Sequence, residues 1–349
     1  LPLRPHIRAA FHWSEGEPIG WRTVAIAALG MAVPAALGLA AGRPALGFTI
    51  GLGAMLLAGE APPSGGAVQD RPSPGSAVFP AILAVTIATL IAGAPWADAA
   101  MIGLAGVAAA ISGYSRPVGV AAIRFIIYLV LSVILLDSAG DHREWAALAF
   151  GLGALWNVAV RLVLARDKKK LPGAPPSRMP TPAQRRAHWR KTMRGLSGWQ
   201  FPIRLVAGLA VASTLRHLWP SHHYGWIVLT VALLTQRPIE PLPVKTSQRT
   251  LGAVIGVGAT WTILMWAPPP AILGVLICAL ATLAAVGRAG NYLVYAAAST
   301  PVILLVFDLG KPVAPALLTD RLVATLLGAA IVVAANFALD RLSAPSRKT

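Results

Sequence analysis

The residues of this chain best equipped to act on a partner are arginines, and they gather where membrane helices would end. Arg204, Arg249 and Arg288 flank apolar stretches on the side that the charge pattern makes cytoplasmic. Guanidiniums at a pore mouth select anions, as rings of Arg or Lys do in anion channels. Long cations that only snorkel to the lipid interface are the bland alternative. Arg124 differs, because it falls about seven residues, roughly 10 Å, inside an apolar stretch, and an ionisable residue at such depth signals function by default. Trp226 and Tyr224 offer rings that either stack on an aromatic ligand or join Trp21, Trp96 and Trp219 in an interfacial belt. Asp320-Arg321 opens the last apolar stretch on the outer side. A cation there opposes the helix dipole, so Arg321 is expected to pair with Asp320, Asp308 or a neighbouring helix, as a gate or a clamp. A proton-sensing role for His222 and His223, of the kind histidine can play, is disfavoured because no carboxylate lies near them in sequence.

Other chemistries find little support. The 13 Asp and Glu fall in loops or at the ends of apolar stretches, which leaves no buried carboxylate relay for proton coupling. No HExxH helix, GxSxG elbow or P-loop is present, so an enzyme is not expected, nor are a metal or a cofactor. The single cysteine, Cys278, sits in an apolar stretch and reads as packing. A net charge of +17 would suggest nucleic acid if it covered one soluble face, but hydrophobic residues make up 56% of the chain, charged ones only 12%, and the mean hydropathy is +0.65. The partner those values name is a bilayer.

Such a composition asks for helices of roughly 20 apolar residues. Candidates run over 21–41, 45–59, 76–94, 98–113, 118–137 and 145–165, then over 201–219, 224–236, 248–267, 270–287, 291–308 and 319–340. The expected fold is an all-α, polytopic membrane protein of about twelve transmembrane helices in two parallel six-helix repeats. It divides into a cytoplasmic segment 1–20, a first repeat 21–165, a basic linker 166–200, a second repeat 201–340 and a tail 341–349. No charged-then-apolar pattern precedes Trp21, so no cleaved leader is expected. With both termini cytoplasmic, most of the 30 Lys and Arg fall inside, the exceptions being Arg43, Arg143, Arg216, Lys311 and Arg321 outside and Arg124 within a span. That is the positive-inside bias. Arg22 and Arg204, Arg116 and Arg288, and Asn157 and Asn336 recur at near-constant spacing, as a repeat would make them. In the linker, Thr181-Pro182 reads as the cap and first turn of a short helix. Its basic residues, with Trp189, Met193 and Leu196 on one flank, suit either a bed of anionic lipid headgroups or a solvated connection. The second and eighth stretches are short and run into Pro-rich segments, Glu60 to Gly66 and Arg237 to Pro243. Broken helices at matching positions point to a transport site, with tight cytoplasmic turns as the alternative.

His223-Tyr224-Gly225-Trp226, Thr230, Pro238, Thr246, Arg249-Thr250, Gly252 and Gly256 resemble the signature of the fusaric acid resistance family, itself similar to bacterial aromatic acid exporters. Asn291-Tyr292, Thr300-Pro301, and Asp320-Arg321 with Thr325 and Gly328 extend the resemblance through the second half; in the first half, Gly47-Phe48 stands where Tyr-Trp would be expected. The resemblance implies export of organic, often aromatic, carboxylates across the inner membrane, adds Thr230 and Asn291 to the pathway residues, and implies a homodimer. An anion leaving a negative interior gains about 2.3 kcal/mol per charge per 100 mV, so the membrane potential suffices as a drive. Proton antiport is the rival implied by the family, and a scaffold recruiting a partner through the basic linker is the rival of another class.

Overall fold

A computed structural model of the chain describes residues 11, 13, 19–57, 74–164, 181–235, 242–307 and 315–343. The Pro-rich segment after the second stretch, that after the eighth apart from Leu242 and Pro243, and Asp308 lie outside them. Among the described residues the chain is all-helical, with thirteen α-helices. These are α1 (Trp21–Ala40), α2 (Pro44–Leu57), α3 (Pro74–Ile91), α4 (Ala97–Ile111), α5 (Arg116–Ser138) and α6 (Arg143–Leu164). After them come α7 (Pro182–Met193), α8 (Leu196–Leu218), α9 (Gly225–Leu234), α10 (Leu242–Trp266), α11 (Pro270–Gly290), α12 (Tyr292–Phe307) and α13 (Pro315–Ser343). Five of them, α1, α5, α6, α11 and α13, are long and apolar enough to cross a membrane. This is the build of a polytopic helical membrane protein.

Local chemistry sets the helix starts. Ser115 caps α5, accepting from Val118 N at 3.4 Å, with Pro117 in the first turn. The span therefore opens at Arg116, and Arg124 becomes its ninth residue, about 12 Å in. Helix α10 opens at Leu242, not at Gln248, which moves Arg249 from a helix start to its third turn. In the linker Thr181 and Gln184 form a reciprocal capping box at the start of α7, as the Thr-Pro pair predicts. Trp189 Nε1 then fixes this helix to the end of α4 by donating to Ala110 O at 3.1 Å.

Helices α2 and α9 are apolar on every side and buried along almost their whole length, so they form the middle of the molecule. At 14 and 10 residues they are about 21 and 15 Å long, short of a 30 Å hydrocarbon core. Among the first six helices, α2 packs on α1 and α6, α3 on α5 and α6, α4 on α5, and α1 on α6. The same pairings occur among the last six: α9 on α8 and α13, α10 on α12 and α13, α11 on α12, and α8 on α13. Contacts between the sets also come in matched pairs, α4 on α8 with α11 on α1, and α5 on α9 with α12 on α2.

Small residues bring these helices together, as expected where lipid tails offer no hydrophobic drive for association. A Cβ on Gly153 would collide with the Ile50 carbonyl, and one on Gly53 with that of Phe150, so α2 and α6 touch backbone to backbone. Gly252 and Gly256 play the same part against Leu293, Ala297 and Thr300 where α10 meets α12. Gly153→Ala is expected to lower the thermal unfolding temperature by an overpacking penalty of about 1–3 kcal/mol. Gly103→Ala, whose Cβ meets nothing within 4 Å, should leave it unchanged or raised. Equal behaviour of the two variants in a detergent melt would contradict the close α2–α6 contact.

Candidate functional site

The last described turns of α2 are buried in the protein, and side chains from three other helices donate to four of the carbonyls there. Tyr128 Oη of α5 donates to Gly53 O at 2.6 Å and Asn157 Nδ2 of α6 to Ala54 O at 3.0 Å. Arg288 Nη1 of α11 donates to Leu56 O at 2.7 Å, and Arg161 Nη2 of α6 donates to Leu57 O. Asn157 Oδ1 in turn accepts from Arg161 Nε at 2.7 Å. Arg124 adds a third guanidinium close to Arg161, Arg288 and Tyr128. Cations at the negative end of the helix dipole are placed as electrostatics favours. Arg288 thus serves as a tie between the two sets of helices, and its guanidinium also lies 5.2 Å over the ring of Tyr295.

From Tyr295 a line of aromatic and basic groups runs through the second set. The ring of Tyr292 lies 5.4 Å away, and its hydroxyl is close to the Arg249 guanidinium without reaching hydrogen-bonding geometry. Arg249 is 1% exposed, and its Nε and Nη2 have no hydrogen-bond partner. Arg321 of α13 is fully buried and within electrostatic reach of Arg249 and Tyr295. All three of its nitrogens are without hydrogen-bond partners, and its guanidinium lies 4.2 Å over the buried Trp226 ring. The hydroxyls of Tyr292 and Thr300 are buried and unpartnered as well. The result is a buried, donor-rich site among α9, α10, α12 and α13, holding two guanidiniums with no carboxylate against them among the described residues.

The other expected pathway residues do different work. Arg204 is buried, but donates to Gln200 O at 3.1 Å and to Asn336 Oδ1, tying α8 to α13. Thr230 donates to Trp226 O within α9 and rests against Gly328 of α13. Asn291 caps α12, its Oδ1 accepting from Leu293 N at 2.7 Å and from Gln248 Nε2 at 3.4 Å. Tyr224 lies outside the line, stacked on His222 with ring centroids 4.9 Å apart.

Of the partners expected for Arg321, Asp308 lies outside the described residues, Asp320 is turned away because successive residues on a helix point about 100° apart, and the neighbouring helix α9 supplies the contact through Trp226. Asp320 itself is turned to other partners. It is 6% exposed, and its carboxylate meets His222 Nδ1 at 2.8 Å, His223 Nδ1 at 3.2 Å and the His223 amide at 3.0 Å. The histidines thus have the carboxylate that sequence neighbours did not offer them, from a residue nearly a hundred positions away. Sequence reasoning also passed over Tyr128 and Arg161; the four-residue spacing of Asn157 and Arg161 on one helix face was the signal available for the latter. A cavity of about 740 Å3 lies elsewhere, where α1 and α2 meet α11, lined by Leu39, Arg43, Phe48, Trp145 and Leu273 among others. It shares no residue with the arginine site.

The short buried helices, the arginines set among them and the apolar shell belong to a membrane protein with a polar interior, the class in which transporters fall. Residues 207–335 match the family model described as fusaric acid resistance protein-like, so the resemblance read from the second half holds. The match spans α9 to α12 whole, with most of α8 and α13, and points to a membrane transport role of the efflux type. No curated protein and no solved structure matches the chain.

Tyr128→Phe removes the side-chain donor to Gly53 O, which keeps its helical partner, a loss of about 0.5–1.5 kcal/mol. The variant should melt at a lower temperature than the parent in detergent. An unchanged melting point would show that the α2 terminus does not depend on this bond.

Proposed function

We propose that this chain exports organic carboxylate anions, aromatic ones foremost, across the inner membrane along a basic pathway through its second half. One observation carries the reading: Arg249 and Arg321 are buried with five of their nitrogens unpartnered and, among the described residues, no acid beside them. A protein that only needed packing there would be more stable with apolar residues of similar size. A carboxylate accepts the paired N–H groups that a guanidinium offers, and Trp226, Tyr292 and Tyr295 supply aromatic surface around it. Arg288, at the end of α11, would meet the anion first and Arg321, on the opposite side of the site, would release it. The matched helix pairings support two parallel six-helix repeats, with both termini cytoplasmic and α7 on the inner face. Five of the residues from Arg185 to Arg194 are basic and none is acidic, which suits anionic headgroups.

The membrane potential would drive exit. A proton-coupled pump is the second reading, favoured by the His222–Asp320–His223 contact next to Arg321. Vesicles containing the purified protein separate the two. With equal pH on both sides and an imposed potassium diffusion potential, flux of a hydroxybenzoate should appear under the first reading. Under the second it should follow an imposed pH gradient at zero potential.

Arg249→Gln and Arg321→Gln should each cut that flux tenfold or more, because a hydrogen bond to a charged group is worth about 1.5–3 kcal/mol. Arg186→Gln, on the exposed face of α7, should leave it within twofold. Flux unaffected by both site substitutions would remove the arginines from the pathway.

A further inference from the structure

Arg249 and Arg321 pose a problem that holds even when no organic acid is present. An arginine keeps its proton inside a protein, so neither side chain can escape burial by becoming neutral. Both are withdrawn from water, each feels the charge of the other, and among the described residues no carboxylate contacts either. The ring face of Trp226, 4.2 Å from the Arg321 guanidinium, offsets part of one charge. It accepts none of the in-plane N–H groups, whose three nitrogens remain without partners. Two unspent Arg249 nitrogens and the unpartnered Tyr292 hydroxyl face the same shortage of acceptors.

A site of this kind is unstable when vacant. We propose that the Arg249–Arg321 site holds a resident small inorganic anion, chloride in ordinary media, whenever no organic acid fills it, so that an incoming carboxylate enters by displacing that ion. The inference rests on the transport reading for the access of anions to the site. Chloride fits the chemistry: it is spherical, accepts several N–H donors at once, and can pass a route built for a carboxylate. Occupancy would then alternate between the two anions, the small ion leaving to and refilling from the cytoplasmic side, so that net negative charge still exits under the membrane potential and the two guanidiniums never stand uncompensated between turnovers.

The test uses the purified full-length protein in detergent, buffered by a bulky sulfonate, with chloride or bromide added and ionic strength held constant. The parent should show a saturable rise of several degrees in unfolding temperature, as ligand linkage requires. Arg321→Gln and Arg249→Gln should each lose most of that rise. Without halide, they should be as stable as the parent or more so, since each removes an uncompensated charge. A parent indifferent to halide, or a full rise retained in both variants, overturns the proposal. If halide has no effect while hydroxybenzoate flux still depends on Arg321, the resident ion is wrong and the transport reading stands. If halide stabilises the parent through both arginines but no organic acid moves, the resident ion stands and the transport reading falls.

Discussion

Backbone carbonyls that end inside a membrane protein must find donors, and that requirement organises the middle of this molecule. Four carbonyls in the last described turns of α2 are met by Tyr128, Asn157, Arg161 and Arg288. The cost of leaving such groups bare in a water-free interior is several kcal/mol each. The donors are therefore structural in the first instance. They come from α5, α6 and α11, so satisfying one helix end fixes the relative positions of three others.

The second set of helices shows the opposite imbalance. Around α2, Arg161 and Arg288 are spent on backbone carbonyls. Around α9, Arg249 and Arg321 have nitrogens with no acceptor among the described residues. The two sets share a pattern of helix packing, and the family match falls on the second, where two fully buried guanidiniums lie near each other. Similar scaffolding thus carries two different settings of arginine, one tied to the backbone of a helix and one with nitrogens that no described residue accepts.

Much of this was legible from residue order. Apolar stretches fall where the helices do, and the shortness of the second and eighth stretches marks the two central helices. The family motif and the glycine-rich run after it single out Arg249. Contacts made across more than about a hundred positions were not legible. Nothing local tells that Asp320 faces His222 and His223, or that Arg204 is committed to Asn336. The depth of Arg249 was also hidden, because polar Thr246, Ser247 and Gln248 read as the approach to a helix when they already belong to one. Hydropathy reports where lipid is; it does not report which polar faces meet inside.

The fastening between the two sets has a mechanical consequence. At one end of the molecule Asp98 of α4 accepts from Ser213 and contacts Arg216 and His217 of α8, while Arg216 also reaches Asp137 of α5 at 3.0 Å. On the other seam, and toward the opposite face, Arg288 grips the terminus of α2. Rivets at diagonal corners resist shear, so tilting one half past the other would have to break both. Any cycle of opening and closing is more cheaply accomplished by local rotation of a few side chains about a rigid frame than by rocking of the frame itself.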